Sequence, residues 1–237
     1  MTTNQWKRTM LRKIGPRAAG TKMAGMRLAG PVIFGLIALL LGTAGTASAH
    51  MIWLEREGDA APRAYFGEWA EDLRETEDTH LKRIATPQAV VRGGEAPAVT
   101  RAHDHFAMAA NPAGDARLRT GGVNDKGSYS LFQAKVGRSE TSGLMALELV
   151  PTAAGGSAFT LLLNGQPLPK AKVTVFGPPK WSKDLHTDEA GRITVPTPWS
   201  GQYIAEAVHI EKKDGDLDGK KYEQVRHVAT LTFTVAP

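Results

Sequence analysis

The chain has no cysteine among its 237 residues. No disulfide can brace the fold, and no thiolate can serve as nucleophile or soft metal ligand. Any metal must be held by imidazole, carboxylate, amine, methionine sulfur or backbone oxygen. Met51, Met108 and Met145 are scattered, so a soft Cu(I) methionine site is not indicated and these read as packing residues. Common enzyme signatures are missing too. There is no Gly-x-Ser-x-Gly elbow, phosphate loop, dinucleotide glycine fingerprint or His-Glu-x-x-His helix. Nothing places serines and acids in a triad, and a role without chemical turnover is expected. No long repeat or low-complexity tract occurs.

Acidic residues are absent from the first 49 positions, which carry Lys7, Arg8, Arg12, Lys13, Arg17, Lys22 and Arg27. The apolar stretch that follows, Pro31 to Gly42, is short and interrupted by glycine. It runs into Ala47-Ser48-Ala49, the small-x-small pattern that export peptidases cut after. A signal peptide over residues 1–49 and a periplasmic, exported mature protein are expected; an uncleaved membrane anchor is the alternative. Setting those seven cations aside leaves 22 basic against 24 acidic residues, a formal charge of about −2. The sequence pI of about 9.5 therefore belongs largely to the leader, and nucleic acid is not an expected partner. Cleavage would make His50 the first residue. A terminal histidine offers a metal both its α-amine and its ring Nδ1, which an internal histidine cannot do.

The mature chain reads as mainly β, with short alternating apolar runs separated by glycine, proline and Asp/Asn turns. Strands are expected near Ile52–Leu54, Arg63–Gly67, Ala89–Arg92, Val99–Phe106, Tyr129–Val136 and Leu144–Val150. Pro151–Ser157, rich in glycine and poor in large side chains, marks the best boundary. Beyond it, Asn164-Gly165 is a strong hairpin signal after Phe159–Leu163. Lys172–Phe176, Arg192–Val195, Tyr203–Ile210 and His227–Val235 complete the strands, the last two joined through a polar loop containing Asp218-Gly219. The expected fold is two antiparallel immunoglobulin-like or transthyretin-like β-sandwich domains, over 50–150 and 158–237. A single helix is expected over Glu68–Asp78, its acids on a solvated face. The pair Glu71 and Glu75 gives poor ground there for acid/base chemistry.

All seven histidines lie from His50 onward. His103 and His105 are two apart, so on a strand they share a face and can reach one ion. If the last hairpin turns near Asp218, residues whose numbers sum to about 436 are opposed, which pairs His209 with His227. His227 also begins a core-facing alternation with Ala229, Leu231, Phe233 and Val235. The candidate metal ligands are thus His50, His103, His105, His209 and His227. His80 and His186 read as surface residues.

Leu168-Pro-Lys-Ala-Lys-Val-Thr-Val-Phe-Gly-Pro, Thr187-Asp-Glu-Ala-Gly-Arg-Ile-Thr-Val-Pro and Gly201-Gln-Tyr-Ile-Ala-Glu-Ala together look like a carboxypeptidase-regulatory or transthyretin-like sandwich. Taken with His50-Met-Ile-Trp, Tyr65-Phe-Gly-Glu68 and the Lys220-Lys-Tyr222 and Arg226-His227 segments, the mature chain resembles the periplasmic domain-of-unknown-function family 4198. The resemblance implies handling of nickel or cobalt, with delivery to a membrane metal transporter. Nitrogen-rich sites also suit Cu(II), which intrinsic affinity favours. Two alternatives stand beside this: a metal-free envelope interaction module, and a copper oxidoreductase built on the terminal histidine.

Overall fold

A computed structural model describes residues 50–237, and the expected leader lies outside them. The described residues belong to one compact unit. Its first strands are β1 (Met51–Glu55), β2 (Arg63–Glu68), β3 (Leu73–Arg74), β4 (Gln88–Ala89), β5 (Val99–Arg101) and β6 (Phe106–Met108). There follow β7 (Ala116–Val123), β8 (Ser128–Val136), β9 (Leu147–Pro151), β10 (Ala158–Leu163) and β11 (Gln166–Pro167). The chain ends with β12 (Lys172–Gly177), β13 (Trp181–His186), β14 (Arg192–Thr194), β15 (Gly201–Leu217) and β16 (Lys220–Val235). The mainly β, sandwich-type architecture expected from the alternating pattern is what the chain adopts.

The strands form three sheets. β1-β2-β6-β5, with β3 added to β2, make the first; β9, β10, β11 and β14 make the second. The third is a seven-stranded sheet in the order β13-β12-β15-β16-β8-β7-β4. Turn chemistry sets two hairpins, one in the second sheet and one in the third. Asn164 and Gly165, both at positive φ, close β10 onto β11, and Asp218 and Gly219 do the same for β15 and β16. The polar stretch expected as a loop after Ile210 instead continues both strands to that tight turn.

The large sheet is the middle layer. On one face Tyr203, Ala205, Ala207, Ala229, Leu231 and Phe233 pack with Leu147, Leu149, Phe159 and Leu161 of the second sheet. On the other, Leu118, Ala134 and Val136 pack with Ile52, Leu54, Phe66 and Phe106 of the first. Ile204 and Val228 meet Met51, Trp53 and Tyr65 there. A sheet covered on both faces favours near-continuous apolar strands, as in Tyr203-Ile-Ala. In β16 the buried Thr230 and Thr232 interrupt the run, and the Thr230 hydroxyl donates to the Ile52 carbonyl at 2.7 Å.

Two features depart from the sequence expectation. Pro151–Ser157 joins two strands that pair with each other, Phe159 opposite Pro151. The middle sheet takes strands from both sides of that segment, because β16 pairs antiparallel with β15 and parallel with β8. Such a parallel pairing has no local turn to announce it. The second departure is Glu68–Asp78, which is not a helix. It holds a single 3-10 turn, Trp69–Glu71, and then doubles back as β3 against β2. Gly67 makes the reversal possible: at φ +152° a Cβ there would stand 2.1 Å from the Leu73 carbonyl oxygen.

Candidate metal centre

The β1–β2 ladder pairs Met51 with Gly67, so the residue before β1, His50, faces the position of Glu68. Beyond Gly67 the chain reverses, and the Glu75 backbone N–H bonds the Phe66 carbonyl at 2.8 Å. That return folds an acidic side chain beneath the start of β1. A tight turn follows, in which Leu81 N–H reaches the Thr76 carbonyl. It brings His80 back over Glu75, and the His80 backbone N–H donates to Glu75 Oε2 at 3.2 Å.

Three side chains meet there. His50 Nε2 lies 2.5 Å from Glu75 Oε1, and His80 Nδ1 lies 3.0 Å from the same oxygen. The two imidazoles stand edge to face with centroids 5.7 Å apart, and the His50 ring rests against Phe66. The Glu75 side chain is only 5% exposed, that of His80 51%. The centre is therefore a buried carboxylate with one side open to solvent. Burial alone would push the Glu75 carboxyl up. Hydrogen bonds from Thr79, His50 and His80 outweigh it and hold it down, at about 2. The carboxylate is charged throughout the physiological range.

One nitrogen from each histidine and one oxygen of Glu75 all fall within 4.8 Å of one another. Donors at 2.0–2.2 Å from a common ion are separated by up to about 4 Å, so small side-chain adjustments suffice to bring all three onto one cation. His50 Nδ1 sits 3.2 Å from Glu68 Oε1. A carboxylate behind a ligating histidine fixes its ring orientation and raises its basicity. The ring thus aims Nε2, not Nδ1, at the centre. This differs from the expected chelate through Nδ1 and the α-amine, because the ladder register places Glu68 on the Nδ1 side.

The other expected ligands are elsewhere. His103 and His105 do not share a strand face, because they occupy the turn between β5 and β6, closed by Ala102 N–H to the His105 carbonyl. His103 is exposed, 3.7 Å from Asp78, whereas His105 Nδ1 bonds Asp104 at 2.7 Å and its ring packs on Tyr65. His209 and His227 are directly opposed, as the hairpin arithmetic expects. Their ring centroids are 6.5 Å apart, and His227 Nε2 meets Glu211 at 3.0 Å. Burial lowers the affinity of His227 for a proton, with Glu211 acting against it. Neither pair joins His50. His186 ends β13 on the surface. The partners the sequence missed are Glu68, Glu75 and His80. The available signal was a histidine five residues after an acid inside an acidic stretch, set aside because a helix would have spread those acids over a wet face.

By architecture this is a three-layer, mainly β protein carrying a two-histidine, one-glutamate cluster at the edge of its outer sheet. No family model and no curated protein matches the chain. Among solved structures, it is similar to the Bacteroides ovatus mixed-linkage glucan utilization locus protein SGBP-B in complex with a mixed-linkage heptasaccharide. The identity is 11% and the TM-score 0.17, over 76% of this chain. The chain spans 46% of that protein's length.

Proposed function

We propose that this is an exported protein that binds a divalent transition metal ion for delivery across the envelope. The ion is held by His50 Nε2, Glu75 and His80 Nδ1, with Glu68 orienting His50. The observation that carries this is the buried Glu75 carboxylate held between two imidazoles. Two nitrogens and one oxygen suit Ni(II), Co(II), Zn(II) and Cu(II). The resemblance to the periplasmic family favours nickel or cobalt, and with them a membrane metal transporter as the recipient. Removal of residues 1–49 would free the His50 α-amine, which can join the ring on one ion only through Nδ1, the nitrogen that here faces Glu68.

Equilibrium dialysis of the protein beginning at His50 against Ni(II), Co(II), Cu(II) and Zn(II) tests this. Submicromolar binding at neutral pH is expected, weakened at least about tenfold in Glu75→Gln and in His80→Ala. Glu68→Gln should weaken it less. No binding at neutral pH, or binding indifferent to Glu75 and His80, rejects the assignment. One extra residue before His50 weakens binding if the amine takes part and leaves it unchanged if the ring alone does.

A further inference from the structure

β15 is 17 residues long, but its neighbour on the outer side covers only part of it. β12 pairs with β15 only from Ile204 to Ala207; Lys172, the first residue of β12, has no partner on β15 and is ion-paired to Asp184 of β13 at 2.8 Å. Among the described residues no strand pairs with the outer edge of Val208–Lys212. The other edge is fully laddered to β16, and that ladder is regular until it shifts between Lys212 and Gly215. The open stretch is therefore five residues of straight strand, bounded by the end of β12 and by the bulge. Its backbone donors and acceptors form an unfilled row of the kind another strand completes. The stretch also carries two of the four exposed large apolar side chains among the described residues, Val208 at 40% and Ile210 at 57%.

We infer that this edge is a docking surface for a second copy of the chain, joining the two middle sheets antiparallel through β15. A twofold axis perpendicular to a continuous sheet opposes residues of equal parity, since opposed side chains must leave the same face. Using the whole open stretch then fixes the axis at Ile210. In that register Ile210 lies against Ile210 of the partner subunit, and the apolar Val208 against the alkyl stem of Lys212. On the opposite face His209 lies against Glu211. A histidine meeting a carboxylate twice, once on each side of the axis, is a self-complementary charge pattern. Shifting the axis to His209 would oppose the two His209 side chains and leave only three residues per strand in the ladder. Centring on Glu211 would run the ladder into the bulge. Such an interface is small, so dissociation is expected at roughly tens to hundreds of micromolar.

Because the chain has no cysteine, one introduced thiol reports on the axis. Directly opposed residues bring their Cβ atoms within about 5 Å, near disulfide range. Ile210→Cys should therefore cross-link to a dimer under oxidised glutathione about tenfold faster than Leu73→Cys, a comparably exposed position on β3. Sedimentation velocity of the unaltered protein should show a dimer fraction rising with concentration. Ile210→Lys, on a half-open strand, should remain folded by circular dichroism and stay monomeric. A protein that is monomeric up to about 500 µM overturns the proposal, given the affinity expected of so small an interface. So does Ile210→Cys reacting no faster than Leu73→Cys, or Ile210→Lys dimerising like the parent.

Discussion

Glu206 illustrates how a single side chain feels a stacked β fold. It lies on β15, opposite Thr174 and Thr230, on the face that the first sheet partly covers. One of its carboxylate oxygens is buried without a partner. Burial pushes its carboxyl up to about 7, with Arg226 and Lys172 acting in the other direction. The folded state thus binds this proton more tightly than the unfolded chain, in which a glutamate titrates near 4.5. The contribution to stability is complete below about pH 4.5 and is lost as pH rises through 7. Urea unfolding between pH 4 and 8 should show the parent losing stability relative to Glu206→Gln, by at most about 3 kcal/mol at pH 8. A pH-independent difference between the two would contradict that account.

The ionic network between the middle and second sheets sets a second residue-scale expectation. Arg117 Nε bonds Glu148 at 2.8 Å, and Lys135 lies 3.1 Å from Asp115 and 3.5 Å from Glu148, all essentially without exposure. The second oxygen of Glu148 accepts the Leu144 and Met145 backbone N–H groups. Removing its charge leaves two buried cations short of a partner, which costs about 3–5 kcal/mol. Glu148→Gln should lower the denaturant midpoint accordingly, whereas Lys170→Gln, at an exposed pair with Glu189, should shift it by less than about 1 kcal/mol.

At the scale of elements, the centre depends on one reversal of the chain. Gly67, the 3-10 turn and β3 together return Glu75 to a position beneath His50. Gly67→Ala would drive a Cβ into the Leu73 carbonyl and force a positive φ on an alanine. The expected result is a stability loss of about 2 kcal/mol or more and at least about tenfold weaker Ni(II) binding, although residue 67 touches no metal. Isothermal titration beside thermal unfolding separates the two effects; unchanged affinity would show that the reversal does not position Glu75. The turn was hidden in the sequence because Trp69, Leu73 and the flanking acids also fit a helical period. Tertiary pairing of β3 with β2 overrode that local preference.

At the scale of the whole molecule, the two cores lie on opposite faces of one sheet. β8 and β7 from the first part continue the sheet that β15 and β16 of the second part begin. Residues 50–150 alone would leave the inner edge of β8 unpaired, and residues 158–237 would lack β9 and expose the edge of β16. Separate expression of the two pieces should therefore give poorly dispersed amide spectra and loss of cooperative unfolding. Mixing them should restore part of the order. Two well-folded, non-interacting pieces would show that the shared sheet is dispensable.

Sequence alone determined the β class, most strand positions, the hairpin turn at Asn164-Gly165 and, given a turn near Asp218, the opposition of His209 with His227. These are local properties: side-chain alternation, turn conformations and antiparallel register all propagate along neighbouring residues. Tertiary structure decided the rest. The parallel pairing of β16 with β8 and the arrival of His50 over Glu75, 25 residues on, join separated segments that no short-range pattern encodes, whereas Glu75 and His80 are near neighbours whose meeting depends on the turn between them. His103 and His105 show the converse, since a spacing that serves a strand loses its meaning once the backbone turns between them.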